Sequence, residues 1–288
     1  MNPISVSNFF PNPNQELLLT SILLCGDTSK EAWKKWDSLV DFDRLDYDTC
    51  CLIPSLYAKL CAENIKTSLL PVMRGIYRKY WCKNQLQYRQ LSILRQYFKA
   101  KKLEAIAIRG TAIALRYYSD YGLRPVEEID LWIQRNQLAE FTELLRVHNW
   151  QSIPNPPSKN SWRFLHHQGL LKLDLHQYAL QTGLETKPEE LDNLRITEVN
   201  LWNQSESIPF ENDFLRLLCP EDQLLQVLIQ GINPKYVSPY RWIMDAHQII
   251  KKTPNFDWSR FKKQANHFEK QFPLNEMLGY LKSTFELL

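Results

Sequence analysis

The stretch Ile108-Arg109-Gly110-Thr111-Ala112, followed by Gly122-Leu123-Arg124-Pro125-Val126-Glu127-Glu128-Ile129-Asp130-Leu131-Trp132-Ile133, turns the grammar of the chain from helical to strand-like. Ala105 to Ile108 is a short apolar run bounded by Arg109-Gly110-Thr111, the pattern of a buried strand feeding a turn. Gly110 stands where that strand gives way to a helix expected from Ala112 to Tyr118. Backbone N–H groups at the helix start would face a phosphate there, and a glycine lets the ligand approach closely. Ile129 to Ile133 reads as a second strand. Its period of two puts Glu128 and Asp130 on one face while Ile129 and Leu131 point into the core. Two carboxylates on one edge, backed by apolar neighbours, make a hard-oxygen site suited to Mg²⁺. Asp174, flanked by Leu173 and Leu175 on a later strand, would supply a third, and His176 follows it on the same face.

Working outward, Asn136 is the expected cap of a helix running to about Val147, and Pro154, Pro156 and Pro157 mark a loop. Trp162 to His167 and Leu170 to His176 read as strands turning at Gln168-Gly169. Residues 104–176 therefore give strand, helix, strand, helix, strand, strand, a small mixed sheet with helices against it in an α+β fold. The first hundred residues read as helices: Asn12 as cap with Pro13 in the first turn, a stop at Gly26, then Thr28 and Glu31 in a capping-box pattern. Thr67 to Lys102 reads as one long helix with Leu86, Leu91, Leu94 and Phe98 among polar residues. Thr182 to Pro209 is polar and irregular. Helices return at Cys219-Pro220-Glu221-Asp222, at Ser238-Pro239, after Asp257 as a cap, and from Leu274 to Leu287. The resulting organisation is an N-terminal helical segment (1–103), a sheet-bearing core (104–210) and a C-terminal helical bundle (211–288).

The chain of 288 residues is 44% hydrophobic, enough for a continuous core. Its 35 basic and 32 acidic residues nearly balance, so the charge of +3 lacks the footprint of a long nucleic-acid partner. The six cysteines include no C-x-x-C pair and are expected as buried thiols in a reducing cytosol. Met1 to Pro13 lacks the basic and apolar regions of a signal peptide, and the apolar run Leu17 to Cys25 is too short to span a bilayer. The expectation is a soluble cytoplasmic protein without a membrane partner. The tryptophans, Trp33, Trp36, Trp81, Trp162, Trp202 and Trp242 among them, are expected to be mostly core or packing residues. Side chains of His166 and His167 diverge on a strand, which argues against a shared metal.

The central run resembles the motif of an uncharacterised nucleotidyltransferase family in the DNA polymerase β-like superfamily, whose members carry K-G-x-A, then G-x-R-P, then D-I-D-L-x-V. Leu173-Asp174-Leu175-His176 is similar to that family's later strand motif, and Tyr240-Arg241-Trp242-Ile243-Met244-Asp245-Ala246 to its R-W-x-x-D-A helix. Asp257-Trp258 matches a following D-W, and Ile53-Pro54-Ser55-Leu56-Tyr57 resembles its N-terminal helix, so the likeness spans nearly the whole chain. It implies Mg²⁺-dependent transfer of a nucleoside monophosphate from an NTP, most simply AMP from ATP, to a small-molecule or peptide acceptor. Glu128, Asp130 and Asp174 would hold metal and carry catalysis. Arg109, Gly110, Thr111, Arg124, Arg241 and Asp245 would bind the nucleotide.

The chain departs from the family pattern in three places. Arg109 stands where the family has Lys, offering a planar fork instead of a point charge. Glu128 stands for the first Asp and is one methylene longer. Leu228-Ile229-Gln230-Gly231 lies where a histidine is often found. Two readings stay open at three points. His176 either touches the acceptor or leaving group or is a hydrogen-bonded histidine; Arg124 either reaches a phosphate or closes its turn on Glu127 or Glu128; Arg241 and Asp245 either form an i,i+4 ion pair or face substrate.

Overall fold

The computed structural model describes residues 10–154, 161–166, 171–180, 197–232, 239–266, 268, 273–285 and 287. Seven strands build one mixed sheet: β1 (Ala105–Ala107), β2 (Ile129–Ile133), β3 (Trp150–Ser152), β4 (Ser161–His166), β5 (Lys172–His176), β6 (Glu206–Phe210) and β7 (Asp213–Leu217). Their order is β3-β4-β5-β2-β1-β7-β6. β2 is parallel to β5 and β1 to β7, while the other neighbours are antiparallel. Around the sheet lie α1 (Pro13–Leu23), α2 (Gly26–Leu39), α3 (Tyr47–Ala62), α4 (Leu70–Ala100), α5 (Arg109–Tyr117) and α6 (Leu138–Val147). A helix described over residues 197–203 (α7) precedes β6. The chain continues through α8 (Pro220–Gly231), α9 (Pro239–Lys252), α10 (Trp258–Ala265) and α11 (Leu274–Phe285).

The alternation read from the sequence sorts β2 between two cores. Ile129, Leu131 and Ile133 join Ala107, Leu173 and Leu175 beneath Leu91, Leu94 and Phe98 of α4 and Phe141 and Leu145 of α6. Trp132 and Ile106 face the other way, into the cluster of α1, α3, α8 and α9. Each fully buried Leu or Phe in these layers contributes about 1.5–3 kcal/mol. Because all five residues of β2 are buried, a one-residue slip would drive Asp130 into the first cluster, so the register is firmly set.

α4 also fixes the approach to β2. Asn84 Nδ2 donates to the carbonyls of Tyr121 and Arg124 (2.6 and 2.7 Å), and its Oδ1 accepts from Val126 N–H (3.1 Å). One turn on, Gln87 Nε2 donates to the Val126 carbonyl at 3.0 Å. Two buried amides thus replace the missing ladder partners of residues 121–126, and the loop enters the site with one geometry.

Several expectations change. α2 begins at Gly26 with Cys25 as its N-cap, so Thr28 lies inside the helix and the Thr28–Glu31 capping box does not start it. Gly26, at φ +73°, makes the reversal between α1 and α2 that the sequence offered as a stop. Asn136 sits within a short 3-10 turn, Arg135–Gln137, ahead of α6 and does not cap it. β3 and the β6–β7 hairpin were not expected, and the end of the stretch read as irregular, Glu206 to Pro209, belongs to strand β6. Cys51 and Cys219 are buried, whereas Cys25, Cys61 and Cys82 are exposed and Cys50 is intermediate, so the buried-thiol expectation holds for two of the six. Trp81 is 39% exposed, against its expected packing role. His167, the Gln168-Gly169 turn, Pro156, Pro157 and Ser238 lie outside the described residues. Among the described residues, no helix is long and apolar enough to cross a membrane.

Candidate active site

β2 and β5 run side by side in parallel with Asp130 opposite Asp174, and on the far side of β5 Asp174 is opposite Arg163 of β4. Register partners project to the same face of a sheet, so three strands deliver two carboxylates and a guanidinium to one spot. Arg163 takes Asp174 in a fork, Nε to Oδ1 at 2.7 Å and Nη2 to Oδ2 at 2.6 Å. The same Nη2 lies 3.7 Å from Glu128 Oε2. His176, two residues beyond Asp174, places Nε2 2.8 Å from Asp130 Oδ1. Ligand atoms of Asp130, Asp174 and His176 fall within 4.8 Å of one another. Glu128 stands outside that group at the mouth.

The turn between β1 and α5 closes the other side. Arg109 adopts φ +53°, a left-handed conformation unusual for a side chain with a Cβ. Its N–H donates to Gln226 Oε1 of α8 at 2.8 Å, and Gln226 Nε2 donates to the Ala179 carbonyl at 2.6 Å. Buried Gln226 therefore ties this turn to the segment leaving β5. The conformation aims the Arg109 guanidinium at Asp130, Nη1 to Oδ1 at 3.9 Å, and its Nε is buried without a partner among the described residues. The left-handed residue of this turn is thus Arg109 and not the neighbouring Gly110. What Gly110 provides is room: a Cβ there would lie 2.8 Å from Arg124 Nη1.

Thr111 is buried and serves the strand. Its Oγ1 accepts from Asp130 N–H at 2.9 Å and donates to the Glu128 carbonyl at 3.2 Å. Arg124 meets neither Glu127 nor Glu128; it forks onto Asp245 of α9 instead, Nε to Oδ1 at 2.8 Å and Nη2 to Oδ2 at 2.7 Å. Tyr118 Oη also donates to Asp245 Oδ1, at 2.9 Å. The expected Arg241–Asp245 ion pair is therefore replaced. Arg241 turns to α3, with Nη2 3.3 Å from Tyr47 Oη and 3.1 Å from Cys51 Sγ, because Asp245 is already saturated by a better-oriented fork. Glu127 pairs with Lys83.

Burial, followed by repulsion from Asp130 and Asp174, pushes the Glu128 carboxyl up to about 7. Burial also raises Asp130 to about 7; Arg109 opposes that rise and Asp174 adds to it. Burial, with Arg109 nearby, holds His176 well below its usual value, so its ring is neutral, and its Nε2 shares one proton with Asp130 Oδ1. Closely spaced carboxylates in a dry site are short of positive charge, and their hard oxygens suit Mg²⁺. The present arrangement fits that ion: Arg163 already acts as the stand-in cation between Asp174 and Glu128. Asp130 and Asp174 are the residues that would hold the metal, and Glu128 is joined to Asp174 through Arg163.

Sequence reasoning missed Arg163 and Gln226. The first was detectable in principle, because Arg163 is a charge within the strand Trp162 to His167, but its role requires the β4–β5 register. Gln226 adjoins the Leu228–Gly231 stretch already noted and gave no local signal.

The family described as "Uncharacterised nucleotidyltransferase" matches residues 48–286. No curated protein matches the chain. Among solved structures, an antigenic nucleotidyltransferase-like protein from Paracoccidioides brasiliensis is similar at 16% identity and TM-score 0.43, covering 68% of this chain and 92% of its own. The antibiotic-resistance factor ANT(2'')-Ia is similar at 11% identity and TM-score 0.46, covering 68% and 98%. The lincomycin-bound lincosamide antibiotic adenylyltransferase LnuA is similar at 13% identity and TM-score 0.38, covering 56% and 94%.

Proposed function

The chain belongs to the uncharacterised nucleotidyltransferase family, and from that premise we propose that it transfers a nucleoside monophosphate, AMP from ATP, to a small-molecule or peptide acceptor with Mg²⁺ as cofactor. The observation that carries the reading is the register pair Asp130–Asp174 on parallel strands, set beside the start of α5 with Arg109 at the mouth.

Each residue has a task that follows from its place. Asp130 and Asp174 hold the metal, with Glu128 as third carboxylate; when bound, Mg²⁺ neutralises charge on the reacting phosphate and its neighbours. His176 is fully buried and hydrogen-bonded to Asp130, which gives it a supporting role. By engaging Oδ1 it directs the remaining oxygen of Asp130 to the cation. Thr111 holds the backbone of Glu128 and Asp130 still. Arg109, whose Nε has no partner among the described residues and whose Nη1 lies 3.9 Å from Asp130, is the cation that turns to the phosphates. Asp174, released from Arg163, accepts the proton of the acceptor hydroxyl as the hydroxyl oxygen bonds to the α-phosphorus and the bond to the leaving pyrophosphate breaks. Arg124 and Asp245 act on the nucleotide indirectly, by bracing the Gly110 backbone, while Arg241 is held by Tyr47 and Cys51 of α3. The near balance of charge supports a small acceptor over a polynucleotide.

The test is mass analysis of products formed from ATP, Mg²⁺ and pooled candidate acceptors. A product heavier by a nucleoside monophosphate, absent with Asp130→Asn, supports the assignment. A product heavier by one phosphate or a diphosphate would replace nucleotidyl transfer with phosphoryl or pyrophosphoryl transfer.

A further inference from the structure

We infer that Arg163 is an internal counter-cation that must be exchanged for the divalent ion, so that metal and nucleotide phosphate bind cooperatively. The inference rests on the metal reading of the Asp130–Asp174 site and adds a residue and a coupling to it.

The geometry is that of an occupied cation position. The Arg163 guanidinium satisfies both oxygens of Asp174, at 2.7 and 2.6 Å, and reaches 3.7 Å toward Glu128. A metal ion bound between these carboxylates competes with the fork for the Asp174 oxygens, and its charge repels the guanidinium. Arg163 can yield, because its side chain is 26% exposed whereas that of Asp174 is 2% exposed. The acid stays while the base swings.

Charge explains the coupling. Glu128, Asp130 and Asp174 face two guanidiniums, Arg163 and Arg109. Adding a divalent cation alone to their ionised forms leaves the site net positive and strands a guanidinium that has lost its carboxylate. A cation arriving with a polyphosphate brings the anion that compensates both. Whatever favours the displaced position of Arg163 then favours metal binding, and the reverse holds by linkage.

The experiment is Mn²⁺ binding followed by electron paramagnetic resonance, on the full chain, with and without a non-hydrolysable ATP analogue. No turnover is required. Arg163→Gln keeps an amide that can still donate to Asp174; Arg163→Lys keeps the charge without the fork, and circular dichroism checks the folding of both. Wild type is expected to bind Mn²⁺ weakly alone and about tenfold more tightly with the analogue. Arg163→Gln is expected to bind Mn²⁺ alone about tenfold more tightly than wild type, with most of the analogue's effect lost, and Arg163→Lys to fall between. Measurable but equal Mn²⁺ affinity in wild type and both variants would overturn the exchange while leaving the metal site standing. No Mn²⁺ binding in any of the three proteins, even with the analogue, would overturn the metal site and the exchange with it.

Discussion

Arg124 forks onto Asp245 across the gap between the loop entering β2 and helix α9, at 2.8 and 2.7 Å, and rests its Nη1 3.2 Å from the Gly110 carbonyl. These two residues are 121 positions apart in sequence, yet together they fix the turn that opens α5. Both are poorly exposed, with side chains 13% and 7% accessible. Removing one partner leaves the other charge buried and alone. Asp245→Ala should therefore lower unfolding stability by about 3–5 kcal/mol in a urea titration; a loss under about 1 kcal/mol, the range of an exposed pair, would show that the fork carries little.

Gly110→Ala probes the same contact from the other side. The new Cβ would sit 2.8 Å from Arg124 Nη1, and Arg124, pinned by Asp245, has little freedom to retreat. We expect a stability loss of about 1–3 kcal/mol, as for overpacking in a core, and weaker binding of a fluorescent ATP analogue. An unchanged melting temperature with unchanged binding would mean that the guanidinium moves aside freely.

The left-handed turn at Arg109 separates two substitutions that remove the same guanidinium. At φ +53° an alanine bears the steric cost of its Cβ, roughly 1–2 kcal/mol, which a glycine avoids. Arg109→Gly should melt higher than Arg109→Ala, with nucleotide binding weakened in both. If the alanine variant were as stable or more so, the turn would not be left-handed in solution.

Glu198 supplies a pH dependence remote from the carboxylate cluster. It accepts the N–H groups of Ala179 and Leu180 at 2.9 and 3.1 Å. Burial pushes its carboxyl up to about 7 despite those bonds. The unfolded value is about 4.3, so between there and about 7 the folded chain holds a proton that the unfolded chain has released. Stability due to this group is present at the acid end and falls by about 3 kcal/mol as pH rises through that window. Denaturation of wild type and Glu198→Gln from pH 5 to 8 should show a steeper fall in wild type, because Glu128 and Asp130, also raised to about 7, contribute the same slope to both proteins and only the difference belongs to Glu198. Parallel curves would mean that Glu198 is ionised throughout.

How much of this was legible depended on range. β2 begins and ends at the residues read from the sequence, Ile129 and Ile133, because carboxylates alternating with apolar residues leave one pleat that works. The β1–α5 turn and β5 were recognisable for the same reason, each being a local pattern. β6 was not: Glu206 to Phe210 is an edge strand, exposed along most of its length, and Pro209 is tolerated there since an edge needs no donor on its outer side. Arg124 and Asp245, Arg163 and Asp174, and Arg109 and Gln226 are pairings that arise only when strands and helices are assembled. No spacing in the chain encodes them. The sequence located the acids; the register identified the bases that neutralise them.

The most direct test of the account is a crystal structure with Mg²⁺ and a non-hydrolysable ATP analogue. The expected result is cation density between Asp130 and Asp174, the analogue's phosphates at Arg109 and the start of α5, and Arg163 moved off Asp174. A structure with the analogue bound elsewhere, no cation between these carboxylates, and Arg163 still forked onto Asp174 would contradict it.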